Sequence, residues 1–97
     1  MAKKIVWSPD AQQDRIGILE YWFERLGHKR FSAKLYHEFV RVSRMLARNP
    51  LIGRRVEDRE ERMFVVGDYL MFYRVEGDYV LISRLWDSRR NPDDLKL

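Results

Sequence analysis

RMFVVGDYLMFYRVEGDYVLISRLW, residues 62–86, is the stretch on which the fold turns. Gly67-Asp68-Tyr69 recurs as Gly77-Asp78-Tyr79, and each Gly-Asp pair lies between runs rich in Val, Ile, Phe, Tyr and Leu. This is the pattern of a two-residue hairpin loop in which Gly supplies a positive φ. Three antiparallel strands joined by two such loops make a meander. Counting back from the first loop pairs Val66 with Tyr69, Phe64 with Met71 and Arg62 with Tyr73. Counting from the second pairs Glu76 with Tyr79, Tyr73 with Ile82, Met71 with Arg84 and Tyr69 with Trp86. Strand alternation then collects Arg62, Phe64, Val66, Tyr69, Met71, Tyr73, Ile82, Arg84 and Trp86 on a first face. Met63, Val65, Leu70, Phe72, Arg74, Leu81, Ser83 and Leu85 fall on the second. Both faces are largely apolar and need cover. Two arginines among aromatics on the first face call for an anionic or polar partner, so the second face, with Phe72, is expected to receive the helices. A one-residue bulge would shift this register.

Outward from the meander, residues 3–7 (KKIVW) read as a short strand ending at Ser8-Pro9, where Ser suits an N-cap and Pro the first helical position. Over residues 10–26 Ile16, Leu19, Phe23 and Leu26 form one apolar row and Ala11, Ile18 and Trp22 a neighbouring one, with Asp10 at the positive end of the helix dipole and Gly27 as the stop. A second helix runs from about Lys29 or Ser32 to Arg48, with Leu35, Phe39, Val42 and Leu46 on its apolar face, and Pro50 ends it. So short a loop makes the helices antiparallel neighbours. Residues 54–57 (RRVE) offer a further short strand, residues 57–62 (EDREER) an exposed connection, and the polar tail from Asp87 a turn at Asn91-Pro92. The expected fold is α+β: an N-terminal strand and an antiparallel helical hairpin packed on an antiparallel meander, with Leu19, Phe23, Phe39, Leu46 and Phe72 buried together.

The 97 residues fit one domain, and 45% hydrophobic with 13% aromatic residues describes a folded chain. There is no Cys, which excludes disulfides and thiolate zinc sites and fits a cytoplasmic home. No apolar run reaches the length of a membrane helix, and the start MAKKIVW lacks the apolar core of a signal peptide. A net charge of +4 invites nucleic acid or an acidic protein partner. His28 and His37 have no companion at metal-ligand spacing, so neither a metal nor another cofactor is expected. The two apolar sheet faces exceed what one helical hairpin can cover, so a segment of another chain is expected on the remaining face or in a groove beside the helices.

The order strand, helical hairpin, meander resembles the RelE/ParE superfamily of type II toxin–antitoxin toxins. Its carriers are IVWSPDAQQD, ARNPLIGR, ERMFVVGDYLMFYRVEGDYVLISRL and SRRNP, spread over nearly the whole chain. The resemblance implies a toxin neutralised in a hetero-oligomer by a small, acidic cognate antitoxin. In the RelE-like branch, which cleaves messenger RNA on the ribosome, Arg62 and Arg84 match two basic positions. The Tyr or His of that branch is absent: the last strand ends Leu85-Trp86-Asp87, leaving Asp87 as the only proton acceptor beside arginines that would depress its pKa. Arg62, Arg84 and Asp87 are therefore the catalytic candidates if the chain is a nuclease. The ParE-like branch inhibits DNA gyrase by protein contact and needs no such residue, and SPDAQ and VGDYLMFYRV look closer to it. Arg54, Arg55, Phe64, Tyr69, Tyr73 and Trp86 are candidate contacts for the target or the antitoxin.

Overall fold

The computed structural model describes residues 2–97. In chain order come strand β1 (Lys4–Trp7), helices α1 (Pro9–Leu26) and α2 (Arg30–Arg48), strands β2 (Arg54–Arg55), β3 (Arg62–Val66), β4 (Tyr69–Glu76) and β5 (Tyr79–Asp87), and a 3-10 turn at Pro92–Asp94. The strands form one sheet in the order β1-β5-β4-β3-β2, antiparallel except where β1 runs parallel to β5. The expected α+β arrangement is found, with β1 as an edge.

Local chemistry accounts for the element ends. The Ser8 hydroxyl accepts a hydrogen bond from the Ala11 amide at 3.0 Å, Pro9 opens α1, and Gly27 closes it in the left-handed conformation. Gly67 and Gly77 sit at φ 60° and 56°, and Asp58 is the one non-glycine of positive φ among the described residues. Both Gly-Asp loops are therefore turns with the glycine at the first central position, which matches the twist of the flanking strands.

Register holds from the first turn through the middle of the second hairpin: Val66 pairs with Tyr69, Arg62 with Tyr73, Glu76 with Tyr79 and Tyr73 with Ile82. Beyond that point β5 bulges. Ile82 faces Tyr73 but Arg84 faces Phe72, which leaves Ser83 unpaired. Met71 therefore meets Leu85, and Tyr69 meets Asp87, where an unbroken ladder would have given Arg84 and Trp86. One extra residue moves Arg84 and Trp86 to the second face and turns Leu85 to the first.

The helices cover the first face, which corrects the expectation from sequence. Phe39, Val42 and Leu46 of α2 and Ala11, Ile18 and Leu19 of α1 pack with Val66, Tyr69, Met71, Tyr73, Val80, Ile82 and Leu85. Phe72 is buried on the opposite side, away from Leu19, Phe39 and Leu46, and Phe23 is 43% exposed on the outer side of the hairpin. The bulge supplies the physical reason. With Arg84 displaced and Leu85 turned in, the first face carries no cation over the part the helices enclose, so nothing there needs a buried counterion. Part of the second face is covered by the chain itself: Arg84 Nη1 donates to the Lys96 carbonyl at 3.0 Å, and the Arg90 guanidinium lies 4.2 Å from the centre of the Trp86 ring.

At the other edge of the core, Tyr73 is fully buried and its hydroxyl donates to the Pro50 carbonyl (2.9 Å) and accepts from the Gly53 amide (2.8 Å). A Cβ on Gly53 would come within 2.7 Å of Tyr73 Cε1 and 2.9 Å of Cζ, so only glycine fits. Gly53→Ala is expected to destabilise the fold by about 1–3 kcal/mol through overpacking. Thermal denaturation followed by circular dichroism measures it, and an unchanged midpoint would contradict the close approach.

Candidate functional site

The three residues that could form a nuclease centre do not converge. Arg62 is on β3 and Arg84 on β5 with β4 between them, two strand spacings or roughly 10 Å across the sheet. Their pairing partners, Tyr73 and Phe72, belong to opposite faces. Arg62 Nη1 donates to the carbonyls of Leu51 (3.2 Å) and Gly53 (2.9 Å), so its cation holds the loop after α2. Arg84 reaches round the edge of β5 to Asp14 of α1 in a two-pronged pair, Nε to Oδ2 at 2.7 Å and Nη2 to Oδ1 at 3.0 Å. The two side chains are only 17% and 16% exposed. Asp14 Oδ2 also accepts from the Leu85 amide at 3.0 Å. That amide lies past Trp7, the last residue of β1 paired to β5, so the carboxylate replaces a missing strand partner.

Asp87 is no more available. Its carboxylate accepts from Arg89 Nε (2.9 Å), Nη2 (2.7 Å) and backbone amide (2.9 Å). The Arg89 side chain, acting first through its hydrogen bond, holds the Asp87 carboxyl below the usual carboxylate range. A base of lowered pKa, already occupied by a guanidinium, has little drive to abstract a proton at neutral pH.

Of the contact candidates, Arg54 and Arg55 are exposed on β2 at the edge of the sheet. The aromatics are not free. Phe64 is half-buried against the core, and Tyr73 and Tyr69 are inside it. The Tyr69 hydroxyl accepts from Trp22 Nε1 at 2.7 Å. Burial pushes both tyrosine hydroxyls up, in Tyr69 against the opposing effect of that bond. Trp86 is 2% exposed beneath Arg90.

Several surface features escape sequence reasoning. An open cleft of about 590 Å³ lies between α1 and the end of β5, with Asp14, Tyr21, Tyr69, Asp87, Arg89 and Arg90 in its walls. An apolar hollow of about 380 Å³ on the helical hairpin is lined by Leu19, Phe23, Ala33 and Tyr36. The signal for Asp14 was its position: it stands between Ala11 and Ile18 at helical spacing, a carboxylate in the row that faces the sheet. Arg89 and Arg90 stand in the SRRNP piece that carries the resemblance, but their contacts with Asp87 and Trp86 could not be read from sequence, because the path of the tail over the second face depends on the bulge.

Asp14→Asn keeps the shape but leaves Arg84 without a neutralising partner. It is expected to cost about 1.5–3 kcal/mol, the range for hydrogen bonds to charged groups, measured by urea unfolding. Asp87 gives a pH signature. Because its folded pKa is lowered, its contribution is fully present above the unfolded value of about 3.9 and is lost as pH falls through the folded value. The dependence of stability on pH, from unfolding curves collected at a series of acid pH values, should be flatter in Asp87→Asn than in the wild type.

Among the described residues no helix is long and apolar enough to cross a membrane. No curated protein sequence matches the chain significantly. A solved structure from the chromosomal ParDE toxin–antitoxin system of P. aeruginosa has the same fold, with a TM-score of 0.76 over 89% of this chain and 96% of its own at 20% identity. The profile of the family described as ParE toxin of type II toxin-antitoxin system, parDE, matches residues 5–92. The chain belongs to this ParE toxin family.

Proposed function

We propose that this toxin acts by protein contact, as an inhibitor of DNA gyrase, and that a small acidic antitoxin holds it inactive in a cytoplasmic hetero-oligomer, with residues 1–97 as one toxin domain. The observation that carries the reading is the engagement of Arg62, Arg84 and Asp87 inside the chain at separate places. Cleavage of RNA needs a base, an acid and charge stabilisation around one phosphate, each within about 3 Å of its atom. A contact inhibitor needs none of these. The apolar hollow on the hairpin, with Phe23 and Tyr36 each 43% exposed, is suited to an apolar segment of the antitoxin, and the charge of +4 suits an acidic one.

Expression without the antitoxin should arrest growth, and the purified chain should inhibit gyrase supercoiling while translating ribosomes show no toxin-dependent cuts in messenger RNA. Asp87→Asn should leave the arrest intact. Cuts that Arg62→Ala and Arg84→Ala reduce by about a hundredfold or more would instead place the chain with the ribosome-dependent nucleases.

A further inference from the structure

The loop between α2 and β2 presents two aliphatic side chains to solvent on a backbone fixed from within. Leu51 is 69% exposed and Ile52 53%, the first of them the most exposed large apolar residue among those described. Beneath them Tyr73 grips Pro50 and Gly53, and Arg62 grips Leu51 and Gly53, four hydrogen bonds from two side chains to three carbonyls and one amide. The Ile52 amide adds a fifth, to the Asn49 carbonyl at 3.1 Å. A buried tyrosine and a cation thus hold a loop whose Leu51 and Ile52 side chains stay mostly in solvent. Ordering contact residues in advance reduces what association must cost. Exposed arginines stand on both flanks, with the acidic residues Glu57, Asp58 and Glu60 of the β2–β3 connection beyond them. Arg48 ends α2, Arg54 and Arg55 form β2, all three are exposed, and among the described residues none of them has a carboxylate in salt-bridge range.

We propose that this loop is the surface by which the toxin seats on its target: Leu51 and Ile52 enter an apolar pocket on a folded protein, and carboxylates round that pocket meet Arg48, Arg54 and Arg55. The proposal rests on the reading of the chain as a toxin that acts by protein contact, and it names where that contact is made. Protruding side chains on a rigid loop require a preformed concavity, which a folded target supplies. A segment that orders on binding fills a groove instead, and the hairpin offers one. A nucleic acid would use the arginines but gain little from Leu and Ile, which neither stack on bases nor bond to phosphate.

The test compares wild type with Leu51→Ser/Ile52→Ser and Arg54→Glu/Arg55→Glu, reading growth arrest, binding to immobilised gyrase, affinity for the cognate antitoxin and the thermal midpoint. The serine pair should abolish arrest and weaken gyrase binding by about thirtyfold or more, the size of an interface hot spot, with antitoxin affinity and midpoint unchanged. The glutamate pair should slow association and flatten its dependence on salt. A serine variant that arrests growth like the wild type overturns the proposal and leaves gyrase inhibition standing. One that loses antitoxin affinity in parallel assigns the loop to the antitoxin and overturns it too. Retention of the wild type on duplex DNA or RNA that only the glutamate pair removes assigns the arginines to phosphates and likewise overturns the proposal. If the wild type arrests growth without binding gyrase and the serine pair abolishes the arrest, the loop is upheld and the choice of gyrase is wrong.

Discussion

The Ser8 hydroxyl donates to the Ser83 carbonyl at 2.9 Å, and that bond ties the start of the first helix to the sheet at the residue where β5 bulges. The same hydroxyl accepts from the Ala11 amide, so one side chain caps a helix and fixes a strand irregularity together. The Ser8 amide continues the parallel ladder by donating to the Ile82 carbonyl. Past this point β1 gives way to α1 as the neighbour of β5, and Asp14 takes over the next exposed amide. Which side chain enters the core after Ile82, and where the tail can go, both follow from this junction.

The bulge resolves a conflict between hydrophobic and charged demands. In an unbroken ladder Ile82, Arg84 and Trp86 would share a face with Tyr73, and a cation would sit under the helices. Inserting Ser83 sends Ile82 and Leu85 into the core and leaves Arg84 at the rim, where Asp14 neutralises it at low exposure. Removing one partner of such a pair is more damaging than the pair's net worth, because the other charge stays desolvated. Arg62 shows a second solution, satisfying its charge with carbonyls of a loop. Both arginines were visible as unusual in the sequence, and both turn out to hold backbone in place.

Much of the fold was legible because it depends on local rules. The Ser-Pro entry, the repeated Gly-Asp turns and the strongly one-sided second helix each act over a few residues, and the pairing of Arg62 with Tyr73 follows by counting from a turn. The side of the sheet that the helices take was not local. Ile82 and Leu85 are three residues apart, an odd step that puts them on opposite faces of a regular strand, and only a bulge brings both to the core. Had the helices been placed on the Tyr69-Met71-Tyr73 face first, the need to bring Leu85 in and keep Arg84 out would have implied the extra residue. The candidate contacts fared likewise. Arg54 and Arg55 lie in the open because a two-residue edge strand buries nothing, whereas Tyr69, Tyr73 and Trp86 read as binding aromatics only while their face was thought bare.

Charge separates along the same lines. Arg41, Arg74, Arg84 and Arg89 each have a carboxylate within salt-bridge distance, and two of these pairs, Arg84 with Asp14 and Arg89 with Asp87, flank the cleft by α1. That cleft is therefore close to neutral despite the ions around it, with Arg90 laid over the face of Trp86. Among the described residues the cations at the C-terminal end of α2 and on β2, Arg48, Arg54 and Arg55, have no such partners. Arg48, Arg54 and Arg55 stand on either side of Leu51 and Ile52, and Glu57, Asp58 and Glu60 of the β2–β3 connection follow them in the chain, so exposed charges of both signs lie near the loop. What the loop presents first is its geometry: two apolar side chains already in place on a backbone held by Tyr73 and Arg62, with exposed arginines beside them.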